Sequence, residues 1–126
     1  MKLRVTVADA NRDFLTHIVS LLQSEFEVIA TATDGESALK LICKHRPDVA
    51  VLDLRLPGIN GMEIMKQTGN CGSRPSFVMC TIENDPDFVD AASRAGARGY
   101  VLKNRIATDL IAAVKAVAAG DCFVSV

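Results

Sequence analysis

Residues 49–52, Val-Ala-Val-Leu, form an uninterrupted apolar run that ends on Asp53. A strand with one wet face alternates polar and apolar side chains, so a run without alternation calls for cover on both faces. Phe77-Val78-Met79-Cys80 repeats the feature. A chain with two such strands must lay helices over both sides of a sheet, and helical-period segments flank each run. Phe14, Ile18, Leu21 and Leu22 share a face within a helix expected from Arg12 to about Ser24. Glu36 to Lys44 reads as a helix stopped before Pro47, and a short helix fits Met62 to Gln67. Pro86 suits the first turn of a helix running to Ala95. The last helix is expected from Ile106 to Ala119, with Leu110, Val114 and Val117 on one stripe and Gly120 as its stop. Further strands are expected at Leu3–Ala8, Val28–Ala30 and Gly99–Leu102, while residues 68–75 read as loop and 121–126 as an unclassified apolar tail.

Five strands alternating with five helices predict an α/β domain, a five-stranded parallel sheet with helices on both faces. At 126 residues the chain is one domain by size. Hydrophobic residues make up 49% and charged residues 23%, enough apolar material to offset chain entropy. No apolar run approaches the ~20 residues that cross a bilayer, which argues against a membrane role. Fourteen basic against fifteen acidic residues argue against direct nucleic-acid contact, and five Phe, one Tyr and no Trp make a base-stacking platform a poor reading. Cys43, Cys71, Cys80 and Cys122 show no Cys-x-x-Cys spacing and no clustering with His17 or His45, and are read as reduced, mostly core-filling thiols of a cytoplasmic protein.

In open parallel sheets the site lies beyond the carboxyl ends of the strands. Asp9 ends the first strand, Asp53 the third and Thr81 the fourth, and Lys103 follows the fifth. One polar residue at a strand end is usually a cap or loop residue; four of complementary type at four ends form a constellation. A carboxylate can attack a phosphoryl group to give an aspartyl phosphate. Positive charge and hydrogen-bond donors then do most of the catalytic work on the transferred group. Lys103 offers the charge and Thr81 a hydroxyl, with carboxylates to hold Mg²⁺.

The stretches Val-Ala-Asp-Ala-Asn-Arg-Asp-Phe (7–14), Pro-Asp-Val-Ala-Val-Leu-Asp-Leu-Arg-Leu-Pro-Gly-Ile-Asn-Gly (47–61), Cys-Thr (80–81) and Ala-Gly-Ala-Arg-Gly-Tyr-Val-Leu-Lys (95–103) resemble the receiver domain of bacterial two-component response regulators. With Ala-Val-Ala-Ala-Gly at 116–120, the last of them is similar to the LuxR/FixJ (NarL-like) subgroup of transcriptional regulators. The resemblance spans the chain. It implies a flavodoxin-like, CheY-like fold over residues 1–126, with a helix-turn-helix DNA-binding domain outside this chain. It further implies Asp53 as phospho-acceptor, Thr81 as switch hydroxyl, Lys103 as the pairing cation and Tyr100 as the switch aromatic. Mg²⁺ would be held by Asp9, Asp53 and the backbone carbonyl of Arg55, whose side chain has no implied role. A sensor histidine kinase or small phosphodonor, and a homodimer through the last helix and its surroundings, are the implied partners. Enzymatic turnover beyond self-phosphorylation and self-dephosphorylation is not expected. A dehalogenase-like phosphatase would need an Asp where Arg55 stands.

Two departures stand out. Ala10 occupies the position of the family's second acid after the first strand, and a methyl group cannot ligate a hard cation. Asp13 reads as an N-terminal helix charge rather than a substitute. Mg²⁺ binding is therefore expected to be weakened, unless a one-residue register shift makes Asp9 the direct ligand. The alternative function is a phosphorylation-independent interaction or dimerisation module. The second departure is Ile106-Ala107 in place of a Ser-Pro cap, which leaves capping to Thr108 or Asn104. The Lys103–Asn104 peptide lies where the family often has a cis bond before proline; without proline, cis costs ~3 kcal/mol.

Overall fold

β1 (Arg4–Ala8) and β3 (Val49–Asp53) lie side by side in a parallel sheet of order β2-β1-β3-β4-β5-β6. The computed structural model describes residues 2–125. The other strands are β2 (Glu27–Ala32), β4 (Ser76–Thr81), β5 (Ala97–Leu102) and β6 (Phe123–Val124). The helices are α1 (Arg12–Leu22), α2 (Gly35–His45), α3 (Gly61–Gln67), α4 (Pro86–Ala95) and α5 (Ile106–Ala118), with 3₁₀ turns at Thr68–Cys71 and Lys103–Arg105.

The unbroken apolar runs are buried as their patterning requires: every residue of β3 is buried, as is β4 from Phe77 to Thr81. Side chains alternate between two cores. Val5, Val7, Val49, Val51 and Val78 pack on α1 and α5 through Leu15, Ile18, Leu22, Leu110, Val114 and Val117. Ala8, Ala50, Leu52, Phe77 and Met79 face α2, α3 and α4 through Ile42, Ile64 and Ala92. The helices start where short polar side chains satisfy free N–H groups. Asn11, Asp34 and Asn60 accept from the N–H groups of Phe14, Ser37 and Glu63, and Asp85 caps α4 with Pro86 behind it.

The sheet has six strands, not five. Residues 123–124 add to the free edge of β5 in parallel, with Gly99 opposite Phe123 and Tyr100 opposite Val124. The Ser125 N–H donates to the Tyr100 carbonyl at 2.8 Å, and the Arg98 guanidinium donates to the Gly120 carbonyl at 2.9 Å. Gly120 sits at φ 91°, which lets the chain reverse from α5 to the sheet edge. A two-residue strand carries no readable period, so the tail gave no sequence signal.

Capping of α5 also departs from expectation. Arg105 is its N-cap residue and makes no side-chain capping bond, while the Thr108 hydroxyl donates backwards to the Arg105 carbonyl at 3.1 Å. The 3₁₀ turn supplies the entry, and Asp109 in the first turn provides the charge that suits a helix N-terminus. The Lys103–Asn104 bond is trans, like every other described peptide bond.

The thiol expectation fails at one pair. Cys43, near the end of α2, and Cys71, in the first 3₁₀ turn, form a disulfide with Cα atoms 5.7 Å apart. They are 28 residues apart in sequence, and only the fold brings them together. In the loop-entropy picture such a closure stabilises by roughly 3–4 kcal/mol. Cys80 is a buried free thiol and Cys122 an exposed one. No described helix is long and apolar enough to cross a membrane.

Candidate functional site

The strand order reverses between β1 and β3, and a ligand crevice is expected beyond their carboxyl ends. Ala8 pairs with Leu52, so the next residues along, Asp9 and Asp53, stand side by side. Both are buried. Asp9 Oδ1 accepts from the Asn11 N–H at 2.9 Å, and Asp53 Oδ1 accepts from the Arg55 N–H at 3.1 Å. Their second oxygens turn towards one cation: Lys103 Nζ is 2.8 Å from Asp9 Oδ2 and 3.3 Å from Asp53 Oδ2. The bond to Asp53 has hydrogen-bond geometry, whereas Asp9 Oδ2 has no aligned donor, so that contact is an ion pair by proximity. The 3₁₀ turn after β5 delivers Lys103 to this place. The Phe14 ring flanks the ammonium, its centroid 4.6 Å from Nζ. Burial works against the Lys103 charge, but the contact with Asp9 and the charges of Asp53 and Asp9 outweigh it and hold the amine above its ordinary pKa.

Thr81, buried at the end of β4, turns its hydroxyl to the following loop, where Oγ1 accepts from the Glu83 N–H at 3.2 Å. Tyr100 is 3% exposed, and its hydroxyl donates to the Glu83 carbonyl at 2.7 Å. Burial, with the charges of Glu83 and Asp85, pushes the phenol up to about 12. The Glu83 carboxylate forms an ion pair with Arg55. One loop residue thus ties together Thr81, Tyr100 and the segment after Asp53.

Asp9, Asp53 and Lys103 therefore converge, with Thr81 and Tyr100 linked to them through the loop after β4. Glu83 leaves no signal in the sequence, because its contacts with Thr81 and Tyr100 are made by backbone atoms. In the sequence Phe14 reads only as part of a helix stripe, because its contact with Lys103, 89 residues further on, leaves no spacing signal. The Arg55 side chain, expected to have no role, is engaged with Glu83. Ala10 is exposed and Asp13 lies in the first turn of α1, capped by Asn11, as a helix-start charge.

The carboxylate oxygens that the structure brings together here are those of Asp9 and Asp53. Among the described residues no group of three or more His, Cys, Asp or Glu side chains lies together. The buried Asp9 Oδ2 without an aligned donor is nonetheless an oxygen suited to a hard cation. The residues fit Mg²⁺, with one carboxylate fewer than Ala10→Asp would give.

Residues 5–115 match the family model for the response regulator receiver domain. The chain belongs to that family. It is 33% identical over 125 residues to the transcriptional regulatory protein DegU of Brevibacillus brevis, covering 98% of this chain and 53% of the relative. It is 32% identical over 125 residues to the oxygen regulatory protein NreC of Staphylococcus epidermidis, covering 97% and 57%. Among solved structures, the NarL signal receiver domain from Mycobacterium tuberculosis superposes with a TM-score of 0.89 at 33% identity, covering 94% of this chain and 98% of that one. A LuxR-family two-component response regulator from Aurantimonas gives 0.91 at 27% identity, covering 98% and 89%. This receiver domain spans about half the length of the curated relatives it matches. Receiver domains typically bind Mg²⁺, in line with the oxygen donors around Asp53.

Proposed function

We propose that this receiver is a phospho-accepting switch in which Asp53 is the nucleophile and Lys103 its counter-ion. The convergence of Lys103 Nζ on Asp9 and Asp53, at 2.8 and 3.3 Å, carries the reading. An Asp53 oxygen attacks the phosphorus of a sensor kinase's phosphohistidine or of a small acyl phosphate. The bond to the donor breaks and the donor leaves with the electron pair, an imidazole taking up a proton and a carboxylate departing as the anion. Lys103 neutralises negative charge on the transferred group. The Thr81 hydroxyl rotates from the Glu83 N–H to donate to a phosphoryl oxygen. Releasing Glu83 frees the anchor of the Tyr100 hydroxyl, so the charge change at Asp53 is felt at β5 and α4. Water attack on the acyl phosphate resets the switch, and the chain performs no turnover on other substrates.

Asp9, Asp53 and the Arg55 carbonyl are the residues that would hold Mg²⁺, which when bound supplies further positive charge to the phosphoryl oxygens. With Ala10 in place of an acid the hold is weak. The output is proposed to be transcriptional, through a helix-turn-helix domain of the LuxR/FixJ type outside this chain, in the cytoplasm. Ala107, Ala112, Ala118 and Ala119 are exposed on or just beyond α5 rather than packed on the sheet, leaving a low-relief face for a homodimer.

Incubation with acetyl phosphate and Mg²⁺ tests the reading. The expected result is a mass gain of one phosphoryl group that maps to Asp53 and is lost in Asp53→Asn. No gain at any Mg²⁺ concentration sinks it, and leaves a phosphorylation-independent interaction module.

A further inference from the structure

The end of the domain remote from Asp53 carries chemistry that phosphoryl transfer does not use. Cys43 lies in the last turns of α2 beside Lys44 and His45, and Cys71 closes the 3₁₀ turn that follows α3. Both residues are partly exposed. We propose that Cys43 and Cys71 are a reversible thiol–disulfide couple, a redox modification site that exchanges with small-molecule disulfides.

Three observations support this. First, the fold holds both partners at a Cα separation of 5.7 Å, inside the usual bridging range. Second, the reduced state is also provided for: Cys71 Sγ lies 3.2 Å from the Thr68 carbonyl oxygen, an acceptor for the thiol once the bridge opens. Third, the surroundings are cationic. Arg4 donates to the carbonyls of His45 and Arg46, and Arg46 reaches the Cys71 carbonyl at 3.4 Å. Positive neighbours attract an anionic small disulfide such as oxidised glutathione. The other two cysteines lack this combination. Cys80 is buried, with its thiol pushed up to about 12 chiefly by desolvation, and Cys122 has no intramolecular partner.

One protein thiolate attacks a sulfur of the small disulfide and expels its other half as a thiolate, giving a mixed disulfide. The second protein thiolate attacks the protein sulfur of that intermediate, forming the Cys43–Cys71 bond and expelling the remaining thiolate. The two cysteines lose two electrons, the small disulfide gains two, and the two protein thiol protons pass to the departing thiolates. The closed loop, residues 43–71, contains β3, Asp53 and α3. Oxidation therefore braces the segment that carries the acceptor without touching the acceptor pocket.

The full chain is equilibrated in buffers of graded reduced-to-oxidised glutathione ratio, quenched in acid, denatured and alkylated with a maleimide. The expected result is four modified cysteines at the reducing end and two at the oxidising end, with a Cys43–Cys71 cross-linked peptide and a smooth transition between. The thermal midpoint should be higher at the oxidising end by on the order of 5–10 °C. Cys43→Ser/Cys71→Ser should abolish that shift. Full alkylation of Cys43 and Cys71 at the oxidising end overturns the proposal. A bridge that resists reduced glutathione in the native protein overturns it too, since the bond is then permanent. Pairing through Cys122 does the same. All of these readouts are independent of Asp53 phosphorylation, so this inference can fail while the switch reading stands.

Discussion

Lys103 Nζ lies closer to Asp9 than to Asp53, at 2.8 Å against 3.3 Å, and the Asp9 oxygen it faces has no aligned hydrogen-bond donor. The ammonium therefore serves as the internal counter-ion of two buried carboxylates. Removing it leaves each carboxylate with a backbone N–H but no counter-charge, which costs more than the ion pair itself contributes. Lys103→Met should destabilise the fold by about 2 kcal/mol at neutral pH. Urea unfolding measures this, and an unchanged midpoint would show that the carboxylates do not depend on the lysine.

Ala10 bears on the same pocket from the metal side. Adding a carboxylate next to Asp9 raises both the ligand number and the negative charge available to a divalent cation. Ala10→Asp should tighten Mg²⁺ by about tenfold, some 1.4 kcal/mol. Magnesium titration followed through the backbone amide signals of Asp53 and Lys103 tests this. Equal affinity in the two proteins would mean that Asp9 alone already supplies the direct ligand.

The shape of the loop after β3 depends on one close backbone approach. The Gly35 N–H donates to the Pro57 carbonyl at 3.0 Å, and a Cβ at Gly35 would stand 1.8 Å from the Ile59 carbonyl oxygen. Carbonyl oxygen on a main chain cannot swing aside as a side chain can. Gly35→Ala should cost about 3 kcal/mol by forcing α2 away from the loop after β3. A calorimetric midpoint within a degree of the parent would contradict this contact.

The legible parts of this protein are those set by periodicity and punctuation. The unbroken run at 49–52 marked β3 as a strand covered on both faces, and the residues closing successive strands pointed to Asp9, Asp53, Thr81 and Lys103. The parts that stayed hidden depend on contacts without a local pattern. Cys43 and Cys71 meet only after α2 and the turn beyond α3 have docked. Glu83 acts mainly through its own N–H and carbonyl, which no side-chain motif announces. The start of α5 carries no capping signature because a 3₁₀ turn, rather than a capping side chain, leads into the helix.

The edge strand β6 has a polar anchor that titrates. Asp109 Oδ2 accepts from Arg105 Nε at 2.9 Å and from the Ser125 hydroxyl at 2.8 Å. The Arg105 bond, then the Ser125 bond, hold the carboxyl below its ordinary value against the effect of burial. A depressed carboxyl contributes stability that is present above its unfolded pKa of ~3.9 and is lost as pH falls through the folded value. Protection of the Ser125 amide, which donates to the Tyr100 carbonyl, should therefore decline below about pH 4, while amides of β4 stay protected. Asp109→Asn should show the weakened Ser125 protection already at neutral pH, as read by hydrogen exchange. Parent-like protection in that variant would mean that backbone pairing alone holds β6 to Tyr100.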